Sequence, residues 1–313
     1  MGSAAAESPR PGDGATGFDL SDRYRTRLET VEAARDWVDR ITRLPVAQRL
    51  DEMRQAIFLP GLGAGRGLDP RSEAYRVRVL DLFESLRGAP YRVEDEVETA
   101  AARVGSQPYP FSSASPRAVG ENLLGLGAIC LGLPCAPPAR VLDLGCGWAN
   151  SSLTLARAGY EVTAVDIDPG CGEIIADWAP RLGVADRVRF IEARFEDLGR
   201  SDAADRHYDA IVFFKAFHHA LDPFGLARTC RNLLAPGGAV VLVAEPVHGN
   251  FYVPWGLRCD GTSLVAIVRN GWLELGFDAD FLDATLADLG LKLALRRRVP
   301  DMPTLSCDVY AAG

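Results

Sequence analysis

The sequence predicts an α/β fold in which a mostly parallel sheet, covered by helices on both faces, ends in a C-terminal antiparallel hairpin and is preceded by a helical N-terminal region. Three observations carry this expectation. From residue 140 onward, short apolar runs alternate with helical stretches, the pattern of βαβ units with buried strands. Glycines stand where several of these runs meet the next element. The last two β-like runs, 292–299 and 304–311, are separated by Pro300-Asp301-Met302-Pro303, with no room for a crossover helix.

Taken in order, residues 1–18 mix small and polar side chains with crowded Pro and Gly, and read as a disordered leader. Residues 19–114 read as a mostly helical N-terminal region. Its first helix carries Leu28, Val31, Val38 and Ile41 on one face, with Asp19 or Ser21 as cap. A second helix begins at Asp69-Pro70 and places Tyr75, Val79, Leu82, Phe83 and Leu86 together. A third starts at Ser115-Pro116 and turns Val119, Leu123, Leu126 and Cys130 inward. The α/β domain then spans 115–313. Its strands are expected at 140–144, 161–165, 188–191, 208–214 and 239–244, with helices at 150–158 and 279–289. Residues 246–277 are long for a strand-to-helix connection, where ~2–6 residues are usual, and form a lid or an ordered insertion.

At 313 residues, with 48% hydrophobic and 24% charged side chains, the composition is that of a globular protein. A net charge of −8 and no basic run longer than Arg296-Arg297-Arg298 exclude the electrostatic footprint of a nucleic-acid binder. Only Lys215 and Lys292 are lysines. The seven cysteines are scattered and include no C-x-x-C pair, so neither a disulfide framework nor a zinc site is expected. With no secretory signal pattern and no apolar run of ~18 residues, the expected location is the cytoplasm, away from the membrane.

The chemistry concentrates in Val141-Leu-Asp-Leu-Gly-Cys-Gly-Trp-Ala149. An acid ends a strand, and Gly145 and Gly147 let the backbone turn and approach a ligand before a helix begins. The acid inside the motif and the missing third glycine set it apart from a dinucleotide fingerprint. Asp143 would repel a pyrophosphate but not a cationic amino-acid ligand.

This segment resembles motif I of class I S-adenosylmethionine-dependent methyltransferases, with Ala149 where the family often has glycine. Val165-Asp166 resembles the ribose-binding acid. Residues 190–198 resemble the adenine segment, 208–223 the fourth-strand motif, and Leu233-Leu-Ala-Pro-Gly-Gly238 the turn into the fifth strand. The resemblance runs from about residue 116 to the C-terminus, and it implies that the helical region 19–114 and the insertion 246–277 cover the substrate. It implies a Rossmann-like seven-stranded sheet with a reversed last hairpin, S-adenosylmethionine as cofactor, and Asp143, Gly145, Cys146, Gly147, Ala149, Asp166, Ile167, Phe195, Glu196 and Phe214 around it. In one departure, Arg194-Phe195 stands where many members have Asp-Ala. Arginine cannot accept from the adenine amino group, so Glu196 takes that role or the amino group meets water.

Methyl transfer asks the protein to align a nucleophile with the methyl carbon and, for a hydroxyl or acidic C–H, to remove a proton. His218 is a base or a substrate contact, His219 a base or a loop brace, and Lys215 a catalytic cation or a solvated stem. Substrate contacts are expected from Tyr109, Glu245, His248, Tyr252, Trp255, Arg258 and Trp272; Glu245 reads equally as a loop carboxylate. His218, His219, Glu245 and His248 match no metal template, so no metal is expected. The expected reaction is methylation of an oxygen or carbon nucleophile on a small-molecule acceptor, in specialised metabolism or on a sugar-containing metabolite. The alternatives are a non-methylating reaction on this fold, such as cyclisation or decarboxylation, and a non-catalytic binding partner. The oligomeric state stays open, a homodimer among the options.

Overall fold

The computed structural model describes residues 24–97, 116–299 and 302–313. The expected leader, the caps Asp19 and Ser21, and Tyr109 lie outside the described residues. The N-terminal part opens with β1 (Thr26–Leu28), which pairs in parallel with β2 (Ala56–Phe58). The first helix runs over Val31–Ile41, capped by Thr30, whose hydroxyl accepts from the Ala33 N–H at 3.1 Å. The expected earlier start is thereby corrected. Leu28 is buried from a strand, and its spacing to Val31 only mimics a helical step. Helix Val46–Gln55 was not expected; its apolar residues Val46, Leu50 and Met53 fall on one face, yet none of its residues is fully buried. Helix Glu73–Arg87 buries Tyr75, Val79, Phe83 and Leu86, as its spacing predicts. Its cap is Ser72; Asp69 instead closes the preceding turn onto the Arg71 N–H.

Helix Pro116–Gly132 lies against the sheet with a different face from the one expected. Leu126 and Ile129 are buried, whereas Leu123 and Cys130 are exposed. The small residues decide this orientation. Gly125 sits directly on the Phe214 ring, and a side chain at Gly132 would stand 2.7 Å from Cys307 Sγ. The helix packs closely only along that stripe.

The main sheet is built from β3 (Arg140–Leu144), β4 (Glu161–Asp166), β5 (Val188–Glu192), β6 (Tyr208–Phe214) and β7 (Leu234–Val243). The insertion contributes β8 (Val247–His248), β9 (Trp255–Leu257) and β10 (Leu275–Asp278). The chain closes with β11 (Leu291–Val299) and β12 (Met302–Ala312). The seven-stranded order is β11-β12-β7-β6-β3-β4-β5, with β12 antiparallel to both its neighbours and the remaining pairs parallel. The chain moves outward from β3 through β4 to β5, then returns to the other side of β3 as β6. That reversal opens a crevice at the carboxyl ends of these strands, where ligands bind in such sheets.

Residues 246–277 form an ordered insertion with its own sheet, β8-β10-β9, and a helix at Gly261–Val265 that runs into a π turn at Ala266–Asn270. Its back is joined to the N-terminal helices. Tyr75 Oη donates to the Trp255 carbonyl at 2.6 Å, Trp255 Nε1 to the Pro70 carbonyl at 2.7 Å, and Arg87 Nη1 to the Val268 carbonyl at 2.8 Å. At Gly261 the backbones approach so closely that a Cβ would stand 2.6 Å from the Met53 carbonyl oxygen. Among the described residues, no helix is long and apolar enough to cross a membrane.

Candidate active site

The loop after β3 is held in a conformation that favours glycine. Gly145 and Gly147 have φ of 68° and 49°, and a Cβ on Gly145 would lie 2.5 Å from that of Ala216. Ala149 takes the same left-handed region, φ 58°, at the start of helix Asn150–Arg157. Asp143 is wholly buried beneath this loop. Its Oδ2 accepts from the hydroxyls of Ser151 (2.6 Å) and Ser152 (2.5 Å), while Oδ1 has no partner. Burial raises its pKa, and the two hydroxyls offset part of that rise. At the end of β4, Asp166 accepts from the Gly147 N–H through Oδ2 at 2.8 Å and from the Asp168 N–H through Oδ1 at 3.0 Å. Burial raises its pKa as well, against those amide bonds.

A cavity of about 360 Å³ lies over these strand ends. The sheet side supplies Gly145, Gly147, Asp166, Ile167, Phe195, Glu196, Lys215 and His219; the N-terminal part adds Tyr91 and Glu96, and the insertion adds Trp272. Lys215 holds φ 57° because its N–H bonds the Val243 carbonyl at 3.0 Å, and its Nζ lies 5.6 Å from the Phe214 ring. Such strained non-glycine positions cluster at functional sites.

Beside the cavity is a chain of charges. Glu245 is buried, and its Oε1 accepts from the N–H groups of Ala216 (2.7 Å) and Phe217 (2.9 Å). Its Oε2 takes the His218 N–H (3.2 Å) and faces His218 Nδ1 at 2.7 Å. Burial works to raise the Glu245 pKa and is outweighed by His218 and the amide donors, which hold it low. His218 Nε2 points toward Glu274 Oε2, 3.9 Å away. Glu274 is held by Arg258 at 3.0 Å, and Arg258 also pairs with Asp260. The His219 ring stacks on His218 with centroids 4.1 Å apart, and its Nδ1 lies 3.2 Å from Glu96 Oε2, off the hydrogen-bond line. Burial alone would lower the His219 pKa; the carboxylates of Glu96, Glu274 and Glu245 raise it to about 9.

The structure therefore gathers many, but not all, of the sequence-derived candidates. Gly145, Gly147, Asp166, Ile167, Phe195, Glu196, Lys215, His219 and Trp272 line the cavity, whereas Asp143, Cys146, Ala149 and Phe214 support it from outside its lining. His218 and Glu245 stand behind His219. Tyr252, Trp255 and Arg258 are engaged within the insertion, Trp255 as the buried link to Pro70. His248 is exposed and stacks on Phe251. The sequence reading passed over Tyr91, Glu96 and Glu274. Glu96 ends an acidic run, Glu94-Asp95-Glu96, that looks like a solvated face; nothing local marks it as paired with the His219 loop.

A family model described as "Methyltransferase domain" matches residues 141–238, which hold this loop and strands β4 to β6. The matched residues, 141–238, form a methyltransferase domain. Curated relatives agree over the same kind of span. "Ubiquinone biosynthesis O-methyltransferase" of Xanthomonas axonopodis pv. citri is 36% identical over 104 residues, 33% of this chain and 42% of that protein. Its counterpart in Xanthomonas campestris pv. campestris is 34% identical over 106 residues, 34% of this chain and 43% of that protein. The chain thus spans under half the length of the curated relatives it matches. Among solved structures, the complex between the Haloferax volcanii Trm112 methyltransferase activator and its methyltransferase shares the fold at a TM-score of 0.51. It is 15% identical and covers 69% of this chain and 98% of that one.

The residues of this methyltransferase domain fit S-adenosylmethionine. Each Asp166 oxygen has spent one acceptor direction on a backbone amide and keeps another, which suits a ribose diol. A Cβ on Gly147 would meet nothing within 4 Å, so backbone and open space face the ligand there. The cavity volume lies within the usual ~300–1,000 Å³ of small-molecule sites.

Proposed function

We propose that this protein is a methyltransferase that moves the methyl group of S-adenosylmethionine to an oxygen or carbon nucleophile of a small, ring-containing acceptor in specialised metabolism. The observation that carries the reading is the single cavity shared by the glycine loop, Asp166, Lys215 and His219, with Tyr91, Trp148, Phe195 and Trp272 among its lining. Oxygen is the favoured nucleophile, given the names of the matching relatives. A reducing cytoplasm suits the seven free cysteines.

When bound, S-adenosylmethionine supplies an electrophilic methyl carbon on a sulfonium. The chain's own residues do the rest. Asp166 and the glycine loop fix one end of the ligand, and Phe195 and Ile167 provide apolar surface. Tyr91 and Trp272 orient the acceptor ring and exclude water. Lys215 favours the ionised form of an acceptor hydroxyl, whose proton passes to solvent. The products are methylated acceptor, S-adenosylhomocysteine and one proton.

The test is incubation with S-adenosylmethionine and a panel of hydroxylated ring compounds, with S-adenosylhomocysteine and acceptor mass both read by mass spectrometry. Equal amounts of S-adenosylhomocysteine and methylated product are expected. Cofactor binding without turnover on any acceptor would sink the reading and favour a non-methylating reaction or a binding role.

A further inference from the structure

We propose that His218, His219 and Glu274 form a binding site for one divalent transition ion, of the Zn²⁺ or Mn²⁺ class, at the wall of the cavity. Their ligand atoms lie within 4.8 Å of one another, although the three residues come from two separate parts of the chain. The expectation of no metal weighed His218, His219, Glu245 and His248, whose spacing matches no metal template, and did not include Glu274. Glu245 serves a different purpose, and His248 belongs to another part of the surface.

Three independent features fit an ion. The first is the carboxylate behind His218. An ionised Glu245 at 2.7 Å keeps the proton on Nδ1, so the Nε2 lone pair faces Glu274 and the neighbouring His219 ring. This is the support that metal-ligating histidines usually have, a second carboxylate fixing tautomer and ring plane. The second is an orphan atom: among the described residues His219 Nδ1 is buried and makes no hydrogen bond despite its nearness to Glu96. The third is charge. Glu96, Glu245 and Glu274 converge here, and the one arginine among them, Arg258, is shared with Asp260. Three carboxylates set against one shared arginine leave negative charge that a dication would balance.

Two imidazoles and one carboxylate favour borderline ions over Mg²⁺ or Ca²⁺, which prefer all-oxygen shells. Arg258 opposes the ion electrostatically and shares Glu274 Oε2, the oxygen that faces His218 Nε2, while Oε1 lies outside that ion pair. An ion here would sit beside His219, a cavity-lining residue, where it lowers the pKa of an acceptor hydroxyl. That role, though not the binding itself, rests on the proposed methyl transfer.

The experiment strips the full-length protein with a chelator and titrates it with Co²⁺, followed by its visible absorption, and with Zn²⁺ and Mn²⁺ by calorimetry. Neither cofactor nor acceptor is present. One ion per chain is expected, with Mg²⁺ binding at least tenfold weaker. His219→Ala and Glu274→Gln should each weaken binding at least tenfold, and Glu245→Gln by about 10–100-fold as the supporting carboxylate. Circular dichroism confirms which variants are folded; if one ligand variant fails to fold, the other carries the test. Absence of stoichiometric binding by folded wild-type protein, or affinity unchanged in a folded ligand variant, overturns the site. Failure of methyl transfer with metal binding intact overturns the proposed function alone.

Discussion

Glu245→Gln removes one charge and replaces one oxygen by a donor in a buried place where four donors converge. With the amide oxygen kept at the Oε1 position, the Ala216 and Phe217 N–H groups remain paired, at 2.7 and 2.9 Å in the parent. The new NH₂ then faces the His218 N–H, which loses its acceptor, and His218 Nδ1 must shed its proton to accept in turn. The opposite amide orientation strands two backbone donors instead. The better arrangement costs one unpaired buried donor, about 1–3 kcal/mol, and turns charge-assisted bonds into neutral ones at about 1 kcal/mol more. A loss of about 2–4 kcal/mol follows. In urea, with a slope of about 2 kcal/mol per molar, the unfolding midpoint falls by about 1–2 M. Tryptophan fluorescence on metal-free protein reads it. An unchanged midpoint at unchanged slope would refute the bracing role assigned to this carboxylate.

Asp166→Ala should weaken S-adenosylhomocysteine binding by about 2–4 kcal/mol, roughly 30- to 1,000-fold, through two lost charge-assisted bonds; unchanged calorimetric affinity contradicts the ribose assignment. Burial raises the Asp166 pKa above 3.8, and the free protein therefore favours its protonated form more than an exposed acid would. Since the carboxylate is the form that accepts from both hydroxyls, affinity should fall on acidification starting above pH 3.8; a flat profile down to that pH is the contrary result. Gly145→Ala places a Cβ against Ala216 at φ 68°, costing about 1–2 kcal/mol in conformation alone, and should abolish cofactor binding; parental affinity would show that the loop relaxes freely. Tyr75→Phe leaves the Trp255 carbonyl without its hydroxyl partner, a loss of about 1–3 kcal/mol, and hydrogen exchange should quicken across β9 while cofactor affinity holds. Unaltered exchange would show that this bond does not secure the insertion.

Much of the sheet was legible because its strands carry their own signature: apolar runs of four to seven residues, each beside a turn signal. The cofactor side was legible for the same local reason, since Gly145, Gly147 and Asp166 act through the backbone of one strand-loop-helix unit and its neighbour. The acceptor side is a different kind of object. Glu96 reaches His219 across more than 120 positions, and Glu274 reaches His218 across more than 50. No periodicity records such pairings. Aromatic residues misled for a related reason: Trp255 and Trp272 look alike in sequence, yet one is the buried link to Pro70 and the other lines the cavity. Helix Pro116–Gly132 was rotated from its expected face because close approach at Gly125 and Gly132 outweighed burial of Leu123.

The union of the insertion with the N-terminal helices bears on how this scaffold can be altered. Trp255, Leu257 and Phe277 are buried, and Tyr75, Pro70 and Arg87 contact the insertion from the other partner. Removing the N-terminal helices while keeping the insertion would strip Trp255 of the Tyr75 and Pro70 contacts that help bury it. Grafting a foreign N-terminal half would leave Trp255 Nε1 without its carbonyl acceptor. On the proposed function, acceptor choice belongs to two distant stretches that must be exchanged as a pair, and libraries that vary either one alone should mostly sample misfits.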